Sequence, residues 1–202
     1  MNKNPKNTKI TEVESDYREY ILDLANSDRN VVFYNSGPQH GAFVLATIFS
    51  KAENNIKIFN GGFSGEISSD RLYQENLLDF LVKGGKLEIL CNQNEVKKSD
   101  FFNLLAFYNE LIPGSITVKQ TTTIVTKGDT ENAIHFAVAD NKMYRVEDDI
   151  DNYTAFCNFN DPEQAQILSS LFDGIFNNED HDSTPVDLSN KSQSNTDVLA
   201  RR

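Results

Sequence analysis

The feature that most constrains the fold of this chain is a change of rhythm beyond residue 120. Up to that point, short β-branched and aromatic runs alternate with segments whose apolar residues recur at helical spacing. The alternation predicts strands at residues 31–34, 56–60, 86–91 and 115–120. The helices predicted between them cover residues 39–52, 70–83 and a segment from Ser99 to the turn at Pro113. Further along, strands at 134–139, 143–147 and 153–157 follow one another without a helix, and one helix closes the series at 162–176.

Strands that alternate with helices form parallel pairs through right-handed crossovers, whereas strands joined by short turns pair antiparallel. The pattern therefore predicts an α/β domain with a mixed, mostly parallel sheet flanked by helices. We expect this single domain to span residues 10–176.

The two ends of the chain differ from the domain in composition. Residues 1–9 contain no large apolar side chain after Met1, which predicts a flexible leader before a helix with a capping box at Thr11 and Glu14. Residues 177–202 contain no aromatic residue and few large apolar ones. Such a segment buries too little apolar surface to repay its ordering entropy, so the sequence predicts a disordered tail.

Charge and cysteine content narrow the partners and the compartment. The formal net charge of −11 counts against non-specific binding to nucleic acid and to anionic membranes, although a local basic groove would still be compatible with nucleic acid. No apolar run is long enough to span a bilayer, and the first residues lack the apolar core of a signal peptide. The two cysteines do not form a disulfide framework. We therefore expect a cytoplasmic protein with no membrane partner.

The familiar cofactor and metal motifs are absent from the sequence. The glycines at 61, 62 and 65 have neither a following Gly-Lys-Ser/Thr nor the spacing of a dinucleotide-binding loop. The acidic run from Glu147 to Asp151 lacks the alternating ligands and the glycine of a calcium loop, which favours a solvated hairpin turn. The sequence thus predicts no cofactor and no metal.

Polar residues follow several predicted strands, at the edge of the sheet where α/β proteins bind ligands. We expect these residues to line a polar cleft: Asn35, Ser36, His40, Asn60, Ser64, Asn92 and Gln93. Asparagine, serine and glycine are also the standard residues of turns, so a purely structural role remains the alternative.

Three stretches resemble the phospholipase D superfamily, whose signature is His-x-Lys-x-x-x-x-Asp. The segment 48–62, IFSKAENNIKIFNGG, is followed by a helix and by LVKGGKLEILCNQ, as in the first half of that domain. The stretch AIHFAVADNK at 133–142 is similar to the signature itself, and TAFCNF at 154–159 is similar to the Thr-Gly-Ser-x-Asn-Phe stretch of the superfamily. The resemblance covers residues 31–176 and implies a phospholipase D-like fold.

Residue by residue, the signature is degenerate. Alignment on Asp140 puts Ala133 at the nucleophilic histidine and His135 at the phosphate-binding lysine, while Phe156 replaces the serine. Asp140 and Asn158 match. Alanine cannot attack phosphorus, and a histidine replaces the charge of the lysine only when it is protonated.

Two alternatives remain open for these residues. If His135 is instead the nucleophile, Ala137 takes the lysine position and Lys142 the aspartate position, and both partners are lost. Asp140 could also serve only to form the hairpin turn with Asn141, and His135 could be an ordinary strand residue.

The resemblance implies a catalytically degenerate module, a pseudoenzyme. It would bind a phosphate-containing ligand or a protein partner and assemble as a homodimer, as superfamily members with one signature copy do. The candidate site residues are then His135, Asp140 and Asn158.

A second hypothesis is an active phosphodiesterase or nuclease rebuilt around His135 or His40, with Lys142 and Arg145 as cations. Arg145 and Glu147, on one strand face, could instead simply pair across solvent. A third is an accessory subunit whose tail recruits a partner.

Overall fold

The computed structural model describes residues 5–63, 65–92, 99–178 and 183–189. Within these residues the helices are α1 (Pro5–Asn26), α2 (Pro38–Lys51), α3 (Glu66–Ser69), α4 (Arg71–Val82), α5 (Asp100–Leu111) and α6 (Pro162–Phe176). The strands are β1 (Phe33–Asn35), β2 (Asn55–Asn60), β3 (Lys86–Asn92), β4 (Ile116–Thr121), β5 (His135–Ala139), β6 (Met143–Asp149), β7 (Thr154–Asn158) and β8 (Thr184–Pro185). The predicted order of strands and helices is confirmed, with α3 and β8 as additions.

All eight strands described belong to one mixed sheet, in the order β1-β7-β6-β5-β2-β3-β4-β8. The α/β class and the flanking helices are confirmed. The expected parallel majority is wrong, because only the β2–β3 and β3–β4 pairs are parallel and the other neighbours in the sheet are antiparallel. The physical reason is that β5, β6 and β7 are joined by short turns and pair antiparallel, and β1, although a helix follows it, pairs antiparallel with β7.

Alternating strand residues fill two apolar cores, one on each face of the sheet. Helices α1, α2, α4 and α5 cover the larger core, in which α2 buries every residue from Gly41 to Phe49. Helix α6 covers the smaller core with Leu168, Phe172 and Phe176. Each such side chain contributes roughly 1.5–3 kcal/mol through burial. The sheet therefore has two covered faces.

Local signals set the helix boundaries. The side chains of Ser99 and Asp161 accept hydrogen bonds from the backbone N–H groups of Phe101 and Gln164, which caps α5 and α6. Gly84 has a φ of 97°, a left-handed value that ends the turn after α4 at no steric cost.

Both chain ends depart from expectation. Helix α1 begins at Pro5, so the predicted flexible leader is wrong for residues 5–9; proline is well suited to a first helical turn, and polar residues can extend a helix. Residues 183–189 lie in the predicted disordered tail, yet β8 pairs with β4 and Val186 and Leu188 pack against the larger core. The remainder of the tail, 190–202, lies outside the described residues.

Of the helices that the structure describes, none combines the length and the apolar character that crossing a bilayer requires.

Candidate functional site

A cavity of about 320 Å³ opens on the face of the sheet that carries the larger core, next to helix α3 and the loop that follows β2. It lies where β2 ends and the antiparallel β5 begins, since Phe59 pairs with Phe136. Its polar lining consists of Asn60, Ser68, His135, Arg145, Glu147, Asp151 and Tyr153. Its apolar lining includes Leu45, Ile58, Phe63, Ile67, Tyr73 and Phe136.

His135 has both ring nitrogens engaged. Its Nε2 accepts a hydrogen bond from the backbone N–H of Gly61 at 2.9 Å. Its Nδ1 lies 3.2 Å from Oε2 of Glu147. Because Nε2 is the acceptor, the neutral imidazole carries its proton on Nδ1 and donates it to Glu147. The ring is held at both ends, with 17% of the side chain exposed.

Arg145 and Glu147 form a buried ion pair beside this histidine. Nη2 of Arg145 donates to Oε1 of Glu147 at 2.8 Å, and both side chains are 5% exposed. Arg145 also donates through Nε to Oδ1 of Asn35 at 3.1 Å and through Nη2 to the carbonyl of Tyr153 at 3.3 Å. A buried charge is tolerated when its bonding capacity is met in this way.

The environment of Glu147 favours its ionised form. Burial alone would raise the pKa of this carboxyl, but the hydrogen bond from His135 and the Arg145 guanidinium outweigh burial and lower the pKa below its ordinary value. Glu147 is therefore a carboxylate at neutral pH. It neutralises Arg145 and orients His135 at once.

The register of one hairpin creates this network. Asp140 and Asn141 adopt φ values of 52° and 50°, and the turn they form joins β5 to β6. The resulting register pairs His135 with Glu147 and Ala137 with Arg145. Alternate residues of a strand share one face, so Arg145 and Glu147 both face the cavity.

Two glycines make room for the network. A Cβ at Gly61 would lie 2.9 Å from Nε2 of His135. A Cβ at Gly41, on α2, would lie 3.0 Å from Nη2 of Arg145 and 2.8 Å from Cδ1 of Ile67. Any side chain at these positions would push the functional groups away from their partners.

The structure brings part of the predicted cleft together. His135 and Asn60 line the cavity. Asn35 joins through its bond to Arg145. Asn92 lies beside them, because its backbone N–H donates to the carbonyl of Gly61 and its Nδ2 would be 3.5 Å from a Cβ there.

Asp140 and Asn158, the candidate site residues grouped with His135, are not part of the lining of this cavity. The Asp140 carboxylate accepts the backbone N–H groups of Glu53, Asn54 and Asn55 at 2.7–3.0 Å. It therefore fixes the chain between α2 and β2. Asn158 is fully buried, and its Nδ2 donates to Asn30 at 2.7 Å.

The other predicted cleft residues have separate partners or fall outside the description. His40 lies 3.1 Å from Glu14 and stacks on Tyr17 at 3.9 Å, between α1 and α2. Ser36 accepts a hydrogen bond from the Thr154 hydroxyl. Ser64 and Gln93 lie outside the described residues.

Sequence reasoning missed Glu147, Asp151 and Tyr153 as site residues, and it gave Arg145 only as a nearby cation. The expected pairing of Arg145 with Glu147 is present, but it is buried at the cavity and not across solvent. The available signal was the presence of two charged residues alternating with Tyr144 and Val146 on a strand. On a sheet with two covered faces, such charges have to be paired inside.

Ala133 and Ala137 bear on the two alignments of the phospholipase D signature. Ala133 precedes β5 and forms a bridge with Thr126. Ala137 lines the cavity and faces Arg145 across the strand pair. Neither alignment places a lysine in the cavity. Among the described lining residues, Arg145 is the one permanent cation.

No family model matches this sequence, and no curated protein matches it. Several solved structures are similar to this chain in fold. Nuc from Salmonella typhimurium, a phospholipase D family member, has a TM-score of 0.57 at 11% identity, over 78% of this chain and 99% of that one. NucT from Helicobacter pylori has a TM-score of 0.54 at 14% identity, over 78% and 100% of the two chains.

A third similar structure is TrmBL2, an archaeal chromatin protein that binds DNA, with a TM-score of 0.54 at 14% identity, over 90% of this chain and 64% of that one. At these identities the likeness concerns the fold. The chain has a phospholipase D-like fold, as the three signature-like stretches implied.

Proposed function

We propose that this protein is a ligand-binding module with a phospholipase D-like fold that has lost phosphodiester chemistry. The observation that carries the proposal is the engagement of both nitrogens of His135, at 3.2 Å by Glu147 and at 2.9 Å by the Gly61 N–H. Nucleophilic attack requires a free lone pair on nitrogen. In this cavity the lone pair of Nε2 is directed at a backbone N–H.

The charges of the cavity support the same proposal. A developing phosphorane needs unpaired positive charge close by. Arg145 is already neutralised by Glu147 at 2.8 Å. A phosphate that took Arg145 as its partner would leave the buried carboxylate of Glu147 uncompensated, which is strongly unfavourable. The formal net charge of −11 adds repulsion at longer range.

One observation favours a second candidate, an active phosphodiesterase. Glu147 orients the imidazole of His135 as a carboxylate orients a catalytic histidine, and the ring lines an open cavity. The two candidates differ in whether Nε2 becomes available when a phosphodiester is present.

Hydrolysis assays separate these candidates. The purified protein would be incubated with bis(p-nitrophenyl) phosphate and with single- and double-stranded DNA, alongside His135→Ala. His40→Ala serves as the matched control, because His40 has its own partners outside the cavity. We expect all three proteins to show the same background rate. Turnover that His135→Ala abolishes and His40→Ala retains would overturn the proposal.

The resemblance to phospholipase D-like proteins also supports self-assembly as a homodimer, and we include it in the proposal. Light scattering over a wide concentration range tests it directly. A dimer mass is expected, and a monomer mass at the highest soluble concentration would refute this part.

A further inference from the structure

The cavity retains unused hydrogen-bonding and charge capacity at its mouth. Asp151 is exposed there, and no hydrogen bond from another described residue is found at its carboxylate. Tyr153 lies beside it, with its hydroxyl 3.3 Å from where a Cβ of Gly65 would stand. Within the described part of the chain, that hydroxyl has no hydrogen-bond partner either. These two groups are available to a ligand.

The walls behind this mouth are aromatic and aliphatic. Phe63, Tyr73 and Tyr153 are the aromatic residues on the cavity side of the sheet, together with Leu45, Ile58 and Ile67. Aromatic faces attract organic cations through their quadrupoles, most strongly where water is excluded. A carboxylate and aromatic rings that line one cavity are therefore a recognition set for an ammonium group attached to an apolar body.

The charge balance of the lining points the same way. Arg145 and Glu147 cancel each other within the buried pair. Asp151 then leaves the described lining with one uncompensated negative charge while His135 is neutral. An anionic ligand would meet this charge, whereas a cationic ligand would neutralise it.

We propose, resting on the ligand-binding function above, that the cavity takes a small organic ammonium ion with an aromatic or branched aliphatic body. The body fills the apolar interior, and the ammonium group donates to the Asp151 carboxylate beside the Tyr153 ring. A cavity of about 320 Å³ lies at the lower end of the range for small-molecule sites, which suits a ligand of this size.

Three probes that share one phenyl ring test the proposal by isothermal titration calorimetry. They are 2-phenylethylammonium, the neutral 2-phenylethanol and the anion phenyl phosphate. We expect affinity to fall in that order. The variant Asp151→Asn should weaken the ammonium probe by about fivefold, the order expected for one partly exposed charge pair, and leave 2-phenylethanol unchanged.

Asp79→Asn is the matched control, because it removes the same charge from the exposed face of α4 and Asp79 is not part of the cavity lining. It should leave all three affinities unchanged. The proposal is overturned if phenyl phosphate binds as tightly as the ammonium probe, if Asp151→Asn binds the ammonium probe like the wild type, or if no probe binds. These results concern affinity, whereas the proposed loss of chemistry fails only on His135-dependent turnover, so the two failures are distinguishable.

Discussion

The two ends of strand β5 use charged residues in opposite ways. At its end, Asp140 gives its carboxylate to three backbone N–H groups and has a purely local structural task. At its start, His135 is held by Glu147 and by Gly61 and faces a cavity. Asp140, which matches the aspartate of the signature, is thus the residue that holds the backbone. His135, which differs from the lysine of the signature, lines the cavity.

The difference shows that the aspartate of the signature-like stretch has a structural role here that needs no ligand. Asp140 is retained by the turn and by the start of β2, and neither depends on a ligand. At the start of β5, His135, Glu147 and Arg145 are linked by hydrogen bonds and charge, so one substitution among them changes several partners at once. Variants at each end should therefore separate a local effect from a network effect.

The largest effect is expected from Glu147→Ala. It leaves the Arg145 guanidinium buried without its carboxylate, and removing one partner of such a pair costs about 3–5 kcal/mol of unfolding free energy. Urea unfolding of the wild type and the variant measures the loss.

The double variant Arg145→Met, Glu147→Met is the control for this prediction. It removes both charges and keeps apolar volume, so most of the stability should return. If the double variant is as unstable as Glu147→Ala, lost packing and not the unpaired charge is responsible.

A smaller effect is expected at the other end, from Asp140→Ala. The variant loses the acceptor for three backbone N–H groups and puts alanine at a φ of 52°. We expect a cost of about 2–3 kcal/mol in unfolding free energy. Asp140→Gly removes the backbone strain but not the lost acceptor, and it should recover about 1 kcal/mol. Affinity for 2-phenylethylammonium should not change in either variant; a change would show that the two ends are coupled.

The smallest effect concerns pH at the cavity end. The folded state lowers the pKa of Glu147 from its ordinary value of 4.5. The carboxylate therefore stabilises the fold fully above that value, and the contribution is lost as pH falls through the lower folded pKa. The difference in unfolding free energy between the wild type and Glu147→Gln should be constant near neutral pH and shrink below about 4.5. A difference that grows on acidification would contradict the ion pair.

Most of the fold was accessible from the sequence, because each element carries its own local signal. Helices α4, α5 and α6 lie close to the segments that the apolar spacing predicted. The pairing of β1 with β7 was not accessible, because it joins distant parts of the chain, such as Asn35 and Cys157, which are 122 residues apart and in contact. The pairing of β8 with β4 was missed because a two-residue strand leaves no periodic pattern.

The candidate site was only partly accessible for a similar reason. Asn60 follows from its place at the end of a predicted strand, and His135 follows from the resemblance of residues 133–142 to the signature. The pairing of His135 with Glu147 depends on the register of the hairpin, and a slip of one residue would place Val146 opposite His135. Composition alone does not set that register. The same uncertainty made Arg145 and Glu147 look like a solvent-exposed pair.

The position of β1 has a consequence for how the chain folds during synthesis. Strands β2, β3 and β4 are neighbours in sequence and in the sheet, so they can assemble as soon as residues 55–121 are available. Strand β1 is synthesised earlier, but its sheet partner β7 emerges much later. Strand β1 therefore has no pairing partner while the middle of the sheet forms. We expect its docking to be the late, slow step of folding, as for other contacts between distant parts of a chain.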